Sequence, residues 1–194
     1  MSRVLAINGS PRKDGNTAHM LTTVLEVCAA AGHETELYQA GGRAVRGCLA
    51  CGACSNNKGR CATDDWINEL YPVMAEADAI LLGSPTYFAD LTPELKAVID
   101  RTGFVSRRDG NRFSRKIGAG VTAVRRTGGI HVLDSINHFF LINDMVVPGS
   151  SYWNMSLSRD LGEYEQDEEG MGTMRRLGEN IVWLLERLHE NSSR

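Results

Sequence analysis

The stretch RVLAINGSPRKDGNT, residues 3–17, joins a continuous apolar run to a loop of small, hydroxyl-bearing and basic residues, and a helical pattern follows. An apolar run without polar alternation is typical of a β-strand that is covered on both faces. The loop GSPRKDGNT (9–17) would lie at a helix N-terminus, whose free N–H groups and partial positive charge suit a phosphate. It matches neither G-x-x-x-x-G-K-[ST] nor G-x-G-x-x-G. We predict a strand, a phosphate-binding loop and a helix, with a plain Gly/Asn turn as the alternative.

Strand-like and helix-like segments alternate about five times along the chain. Strands are predicted at residues 3–8, 34–39, 78–84, 116–124 and 144–149. Helices are predicted at 17–31, at 64–77, from Thr92 onward, at 131–142 and at about 172–189. This alternation predicts an α/β fold, a doubly wound parallel sheet with helices on both faces. We expect residues 1–194 to form one domain, with a cysteine-rich insertion at about 41–63 and an irregular acidic loop plus C-terminal helix at about 149–194.

The composition is that of an ordinary globular protein with a slight acidic excess. The 194 residues are 42% hydrophobic and 23% charged, and the formal net charge is -3. Nucleic-acid-binding proteins usually carry a basic excess, so we expect no nucleic-acid partner. No stretch approaches the roughly 18 consecutive apolar residues of a membrane span, and the N-terminus lacks a secretory signal pattern. We therefore expect a cytoplasmic protein with no membrane partner.

Two further loops follow predicted strands, and in a doubly wound sheet ligands bind at that carboxyl edge. GSPTYFADLTPELK (83–96) carries an aromatic pair, Tyr87-Phe88, which could instead belong to the core. AVRRTGGIH (123–131) adds two arginines and a Gly-Gly pair that lets backbone approach a ligand closely. With the first loop, these supply a phosphate site, a flat aromatic-lined pocket and open backbone. A flavin mononucleotide, FMN, needs these three features.

Four of the five cysteines fall within fourteen residues, CLACGACSNNKGRC (48–61). In a reducing compartment such a group favours metal or redox chemistry over disulfides. The spacing C-x2-C-x2-C is shared with bacterial ferredoxins, whereas structural zinc more often uses two separated C-x2-C knuckles. The candidate ligands are Cys48, Cys51, Cys54 and Cys61. We favour a [4Fe–4S] cluster, and free or redox-active thiols, zinc and disulfides remain open alternatives.

Several of these segments carry a family resemblance. GSPRKDGNT, GSPTYFADLTPELKAVIDR and VRRTGG followed by NHFFLINDMVVPGSSYW resemble the flavodoxin-like NAD(P)H-dependent FMN reductases. With the cysteine loop and the Asp64-Asp65 pair after it, the chain is most similar to the iron–sulfur flavoproteins. The resemblance implies a five-stranded sheet of order 2-1-3-4-5, FMN at its carboxyl edge, and assembly as a homodimer or homotetramer.

The resemblance also implies a set of cofactor-binding residues. The phosphate would be held by Ser10, Arg12, Asn16 and Thr17. The isoalloxazine ring would be lined by Pro85, Thr86, Tyr87 and Phe88, and the third flavin loop would contain Arg126, Gly128 and Gly129. Ile130 stands where the family more often has Gln or Glu, which bears on a polar contact to the ring.

An FMN protein needs no catalytic side chain of its own, because the chemistry belongs to the cofactor. We predict an FMN-dependent oxidoreductase that passes electrons between a ferredoxin-like carrier or NAD(P)H and an acceptor, through FMN and a [4Fe–4S] cluster. The alternative is a cluster-free NAD(P)H-dependent FMN or quinone reductase with free thiols. A zinc-stabilised binding module on the same scaffold is a third interpretation, which the three flavin loops disfavour.

Overall fold

The computed structural model describes residues 1–192, which form a five-stranded parallel sheet flanked by helices. The strands are Arg3–Asn8 (β1), Glu34–Gln39 (β2), Ala79–Pro85 (β3), Ile117–Val124 (β4) and Met155–Leu157 (β5). They lie in the order β2-β1-β3-β4-β5, and every strand pairing is parallel. The predicted α/β class and the order 2-1-3-4-5 are therefore confirmed.

Helices cover both faces of the sheet. They are Asn16–Ala30 (α1), Ile67–Glu76 (α2), Pro93–Arg108 (α3), Gly129–Ile142 (α4) and Glu168–Ser192 (α5). One apolar layer contains α2, α3 and α4, and the other contains α1 and α5. In β1, Leu5 and Ile7 face the first layer while Val4 and Ala6 face the second, and all four are fully buried. This two-sided burial explains why the strand is apolar at every position. No helix within residues 1–192 has the length and apolar character that a membrane crossing requires.

The start of α3 illustrates how local sequence fixes an element and also ties it to the sheet. Thr92 is the N-cap, its hydroxyl accepts from the N–H of Leu95 at 3.4 Å, and Pro93 occupies the first turn. The same hydroxyl donates to the carbonyl of Gly9 at 2.8 Å. The helix start predicted at Thr92 is thus correct, and Thr92 also joins the helix to the loop after β1.

The fifth strand is where the sequence prediction was wrong. Within residues 144–149, only Val146 pairs with the sheet, through a single bridge to Ile117. Residues 147–154 then leave the sheet, and the true strand, β5, pairs with β4 from Thr122 onward. Pro148 explains the interruption, because it has no N–H to donate to a strand ladder.

The C-terminal helix begins earlier than predicted. The acidic run at 162–170 was expected to be irregular, but Glu163–Gln166 forms a short 3₁₀ turn and Glu168 starts α5. The ring of Tyr164 stacks on His19 of α1 with centroids 4.5 Å apart. This contact holds the acidic turn against the N-terminal half of α1.

Candidate functional site

A buried polar network shapes the loop after β1. Asn8 is fully buried, and its side chain donates to Gln39 Oε1 at 2.8 Å and accepts from the N–H of Ser10 at 3.0 Å. Gln39 Nε2 in turn donates to the carbonyls of Ser10 and Gly41, both at 2.7 Å. The hydroxyl of Ser10 accepts from the N–H of Arg12 at 3.2 Å. The loop therefore has a fixed shape that its own strand and the neighbouring β2 both support.

Close backbone approach explains two glycines beside this loop. A Cβ added at Gly41 would lie 2.2 Å from the carbonyl carbon of Ser10, and one added at Gly9 would lie 2.8 Å from the carbonyl oxygen of Gly83. Such distances exclude any side chain without a backbone shift. The ends of β1, β2 and β3 are consequently pressed together around the first loop.

A cavity of about 190 Å³ opens at this carboxyl edge of the sheet. Its lining comes from the ends of β1, β3, β4 and β5 and the start of α1: Ser10, Arg12, Gly15, Asn16, Thr17, Pro85, Thr86, Tyr87, Ala123, Arg125, Ser158 and Arg159. Three arginines and no acidic residue are in this set. Gly15, the N-cap of α1, has no side chain that could cap the helix, so the first N–H groups of the helix stay available for an anion.

Asn16 reaches this edge but is engaged with the protein itself. Its Nδ2 donates to the carbonyl of Asp160 at 2.9 Å, and its Oδ1 accepts from the N–H of Gly162 at 3.0 Å. The side chain therefore anchors the segment that carries Ser158 and Arg159 over the cavity. The expectation that Asn16 also contacts phosphate remains a prediction.

Sequence reasoning missed Arg125, Ser158 and Arg159 as lining residues. The hydroxyl of Ser158 is buried and has no hydrogen-bond partner within residues 1–192. Its backbone N–H donates to the carbonyl of Val124 at 2.9 Å, which fixes the residue at the end of β4. A hydroxyl and an arginine directly after a strand are the available signal, but the sequence pattern predicts the fifth strand at 144–149 instead.

The aromatic loop forms a tight turn after β3. Tyr87 and Asp90 exchange both backbone hydrogen bonds, at 2.7 and 3.0 Å, and the two residues between them have positive φ, 48° for Phe88 and 64° for Ala89. Left-handed backbone at two non-glycine residues is strained and is typical of functional sites. Pro85, Thr86 and Tyr87 line the cavity, whereas Phe88 lies outside it with its side chain fully exposed.

The third loop packs against the aromatic turn. Gly128 has φ of 89°, and a Cβ there would lie 3.0 Å from the Cα of Ala89. Gly129 begins α4. Of the two arginines in this loop, Arg125 lines the cavity and the predicted Arg126 is exposed outside it.

The cysteines line a second cavity, of about 230 Å³, that shares no residue with the first. Cys48, Cys51, Cys54 and Cys61 all contribute to it, the first two exposed and the others half-buried. All five cysteines are free thiols, and burial raises the pKa of the remaining one, Cys28, to about 11. In the described part of the chain no three His, Cys, Asp or Glu side chains are close enough to hold a single metal ion.

Comparisons with known proteins define the family. Residues 2–160 match the family model described as NADPH-dependent FMN reductase. An iron–sulfur flavoprotein of Methanocaldococcus jannaschii is 33% identical over 187 residues, which cover 93% of this chain and 95% of that protein. An iron–sulfur flavoprotein of Methanosarcina thermophila is 30% identical over 197 residues, 97% of this chain and 98% of that protein. The chain therefore belongs to the NADPH-dependent FMN reductase family, and within it to the iron–sulfur flavoproteins.

Solved structures agree on the fold. RosB, solved with bound 8-demethyl-8-formylriboflavin-5'-phosphate, has a TM-score of 0.76 at 17% identity, covering 98% of this chain and 81% of that chain. A flavodoxin-like WrbA-like protein from Agrobacterium tumefaciens has a TM-score of 0.66 at 17% identity, with coverages of 96% and 99%. These structures confirm the predicted flavodoxin-like fold, and the family match confirms the predicted family and flavin-dependent oxidoreductase class.

Proposed function

We propose that FMN binds at the carboxyl edge with its phosphate in the 190 Å³ cavity. The unpartnered buried hydroxyl of Ser158 is the observation that carries this assignment, because such a group needs an acceptor or donor from a ligand. Arg12, Arg125 and Arg159 supply positive charge, and the uncapped start of α1 supplies N–H donors. Ser10 and Thr17 add hydroxyls. The donor set fits a phosphate.

The isoalloxazine ring would lie across the rim of this cavity rather than within it. A volume of about 190 Å³ is below the roughly 300 Å³ at which pockets for whole ligands begin, so it suits the phosphate and ribityl end. Pro85, Thr86 and Tyr87 would contact the ring from one loop, and Gly128 and Gly129 from the other. Phe88 and Arg126, which lie outside the cavity, would reach the ring only from its exposed side.

The four-cysteine loop would hold a [4Fe–4S] cluster. Each thiolate of such a cube binds a different iron, so the sulfurs surround a cavity instead of converging on one atom. Cys48, Cys51, Cys54 and Cys61 surround one cavity in this way, and Gly52 and Ala50 provide left-handed turns, with φ of 72° and 51°. The donor set and its arrangement fit a cluster.

The protein would then act as an electron-transferring flavoprotein. When bound, FMN accepts two electrons as a hydride and releases them singly, and a cluster carries one electron at a time. The donor would be a ferredoxin-like carrier or NAD(P)H, and the protein would work in the cytoplasm as a homodimer or homotetramer. The exposed thiols of Cys48 and Cys51 favour one second candidate, a cluster-free NAD(P)H-dependent FMN or quinone reductase.

Anaerobic reduction with each donor tests the proposal. Purified protein would be mixed with NADH, with NADPH or with a chemically reduced ferredoxin-type carrier, and flavin absorbance followed by stopped flow. Flavin bleaching by the carrier, with absorbance loss from the cluster, supports the first function. Bleaching by a nicotinamide alone in iron-free protein supports the second, and bleaching by no donor contradicts both.

A further inference from the structure

One arginine is buried beside the cysteine cavity and uses all of its donors. Arg101 of α3 is 1% exposed, and no larger side chain in the described chain is buried as completely. Its Nε donates to Cys61 Sγ at 3.4 Å. One terminal nitrogen donates to the carbonyl of Arg46 at 3.1 Å and to the carboxylate of Asp65. The other donates to the carbonyl of Thr63 at 2.9 Å and to Asp65 at 2.8 Å.

These partners bracket the cysteine loop. Arg46 lies two residues before Cys48, and Thr63 lies two residues after Cys61, so one side chain joins both ends of the loop to α3. The guanidinium has five N–H donors, and the five contacts account for all of them.

Arg101 keeps its positive charge although it is buried, because a guanidinium stays protonated in proteins and the carboxylate of Asp65 faces it. Burial acts to raise the pKa of Asp65, and the hydrogen bonds from Arg101 and from the N–H of Ile67 lower it overall. A full positive charge therefore stands 3.4 Å from the sulfur of Cys61.

A charged N–H donor at a ligating sulfur has a defined chemical effect. Hydrogen bonds to cluster sulfurs and nearby positive charge stabilise the more negative, reduced state and raise the reduction potential. Closing the two ends of the loop also reduces the conformational freedom that the ligands would lose on binding a cluster.

We propose that Arg101 is the positioning residue of the cysteine loop. It clamps the two ends of the loop together before the cluster enters, and it polarises the sulfur of Cys61 once the cluster is bound. The second half of this inference rests on the proposed cluster, whereas the first half does not. Neither half concerns the flavin cavity, because that cavity has no lining residue in common with the cysteine cavity to which Arg101 belongs.

Limited proteolysis of metal-free protein tests the clamp without any cofactor. The loop carries two trypsin sites, after Lys58 and Arg60, and their cleavage rate reports loop opening. We expect cleavage at least about tenfold faster in R101M than in wild type. We expect an intermediate rate in R101K, which keeps the charge but loses the planar guanidinium and its several N–H donors. R107M is the matched control, because Arg107 lies on the same helix and instead contacts the carbonyl of Ile142. Equal rates in wild type and R101K would overturn the clamp.

The cluster potential tests the second half. Protein reconstituted with iron and sulfide would be titrated by spectroelectrochemistry, with FMN content measured on the same sample. We expect R101M to bind less iron, to retain FMN and to show a more negative cluster potential than R107M, with R101K between them because it keeps the charge. An unchanged potential in iron-loaded R101M would overturn the polarising role. Wild type that takes up no iron would instead overturn the proposed cluster, while the cleavage rates would still decide the clamp.

Discussion

Substituting Gly41 by alanine should disrupt the flavin site although the residue is not expected to touch the flavin. An added Cβ would lie 2.2 Å from the carbonyl carbon and 2.3 Å from the carbonyl oxygen of Ser10, and 2.4 Å from the carbonyl oxygen of Gly9. An ordinary contact begins at 3.4 Å, so the two segments must separate by about 1.2 Å. The opposing atoms are backbone and cannot rotate away. We expect a loss of roughly 2–3 kcal/mol in the free energy of unfolding, the upper part of the range for overpacking.

The same movement should weaken FMN binding. A shift of this size takes the Ser10 loop out of hydrogen-bond range of a phosphate, and one lost bond to a charged group costs about 1.5 kcal/mol or more. This corresponds to an affinity at least about tenfold lower. Urea unfolding of flavin-free protein and FMN titration by flavin fluorescence would measure both effects. G149A is the control, because a Cβ at Gly149 meets no atom within 4 Å. If G41A and G149A behave alike in both assays, the close approach at Gly41 does not shape the flavin site.

Three further substitutions separate the two cofactor sites. T17V replaces the hydroxyl of a side chain that is 1% exposed by a methyl group of similar size, so FMN should bind at least about tenfold more weakly. An unchanged titration would remove Thr17 from the phosphate site. S158A deletes a hydroxyl that has no protein partner within residues 1–192. The unfolding midpoint of flavin-free protein should therefore stay the same while FMN affinity falls, and a large loss of stability would contradict this. C51A should abolish iron binding and leave FMN content intact, since the two cavities share no residue, and joint loss of both cofactors would show that the cysteine loop supports the flavin site.

Much of the fold was predictable because strands that are buried on both faces are apolar at nearly every position. The runs at 3–8 and 116–124 are apolar at almost every position, and β1 and β4 lie there within one residue. The prediction of the fifth strand was wrong because it relied on apolar composition alone. DMVVPG has that composition, but an edge strand needs a ladder of backbone hydrogen bonds, and Pro148 ends the ladder after Val146.

The candidate sites were predictable where a short segment carries the chemistry. The four cysteines were found by spacing alone and line one cavity, and the loop after β1 lies at the start of α1 as expected. Ser158 and Arg101 were missed because their roles depend on contacts distant in sequence. Arg101 meets the cysteine loop 40 residues upstream, at Cys61, and a basic helix segment gives no sign that one of its arginines is buried.

The most direct test is a cofactor count on protein purified without oxygen, with FMN, iron and acid-labile sulfide measured on one sample. We expect about one FMN and about four iron and four sulfide per chain. FMN without iron would contradict the cluster and leave the NAD(P)H-dependent reductase as the function. Iron without FMN would contradict the assignment of the carboxyl-edge cavity, on which the whole proposal depends.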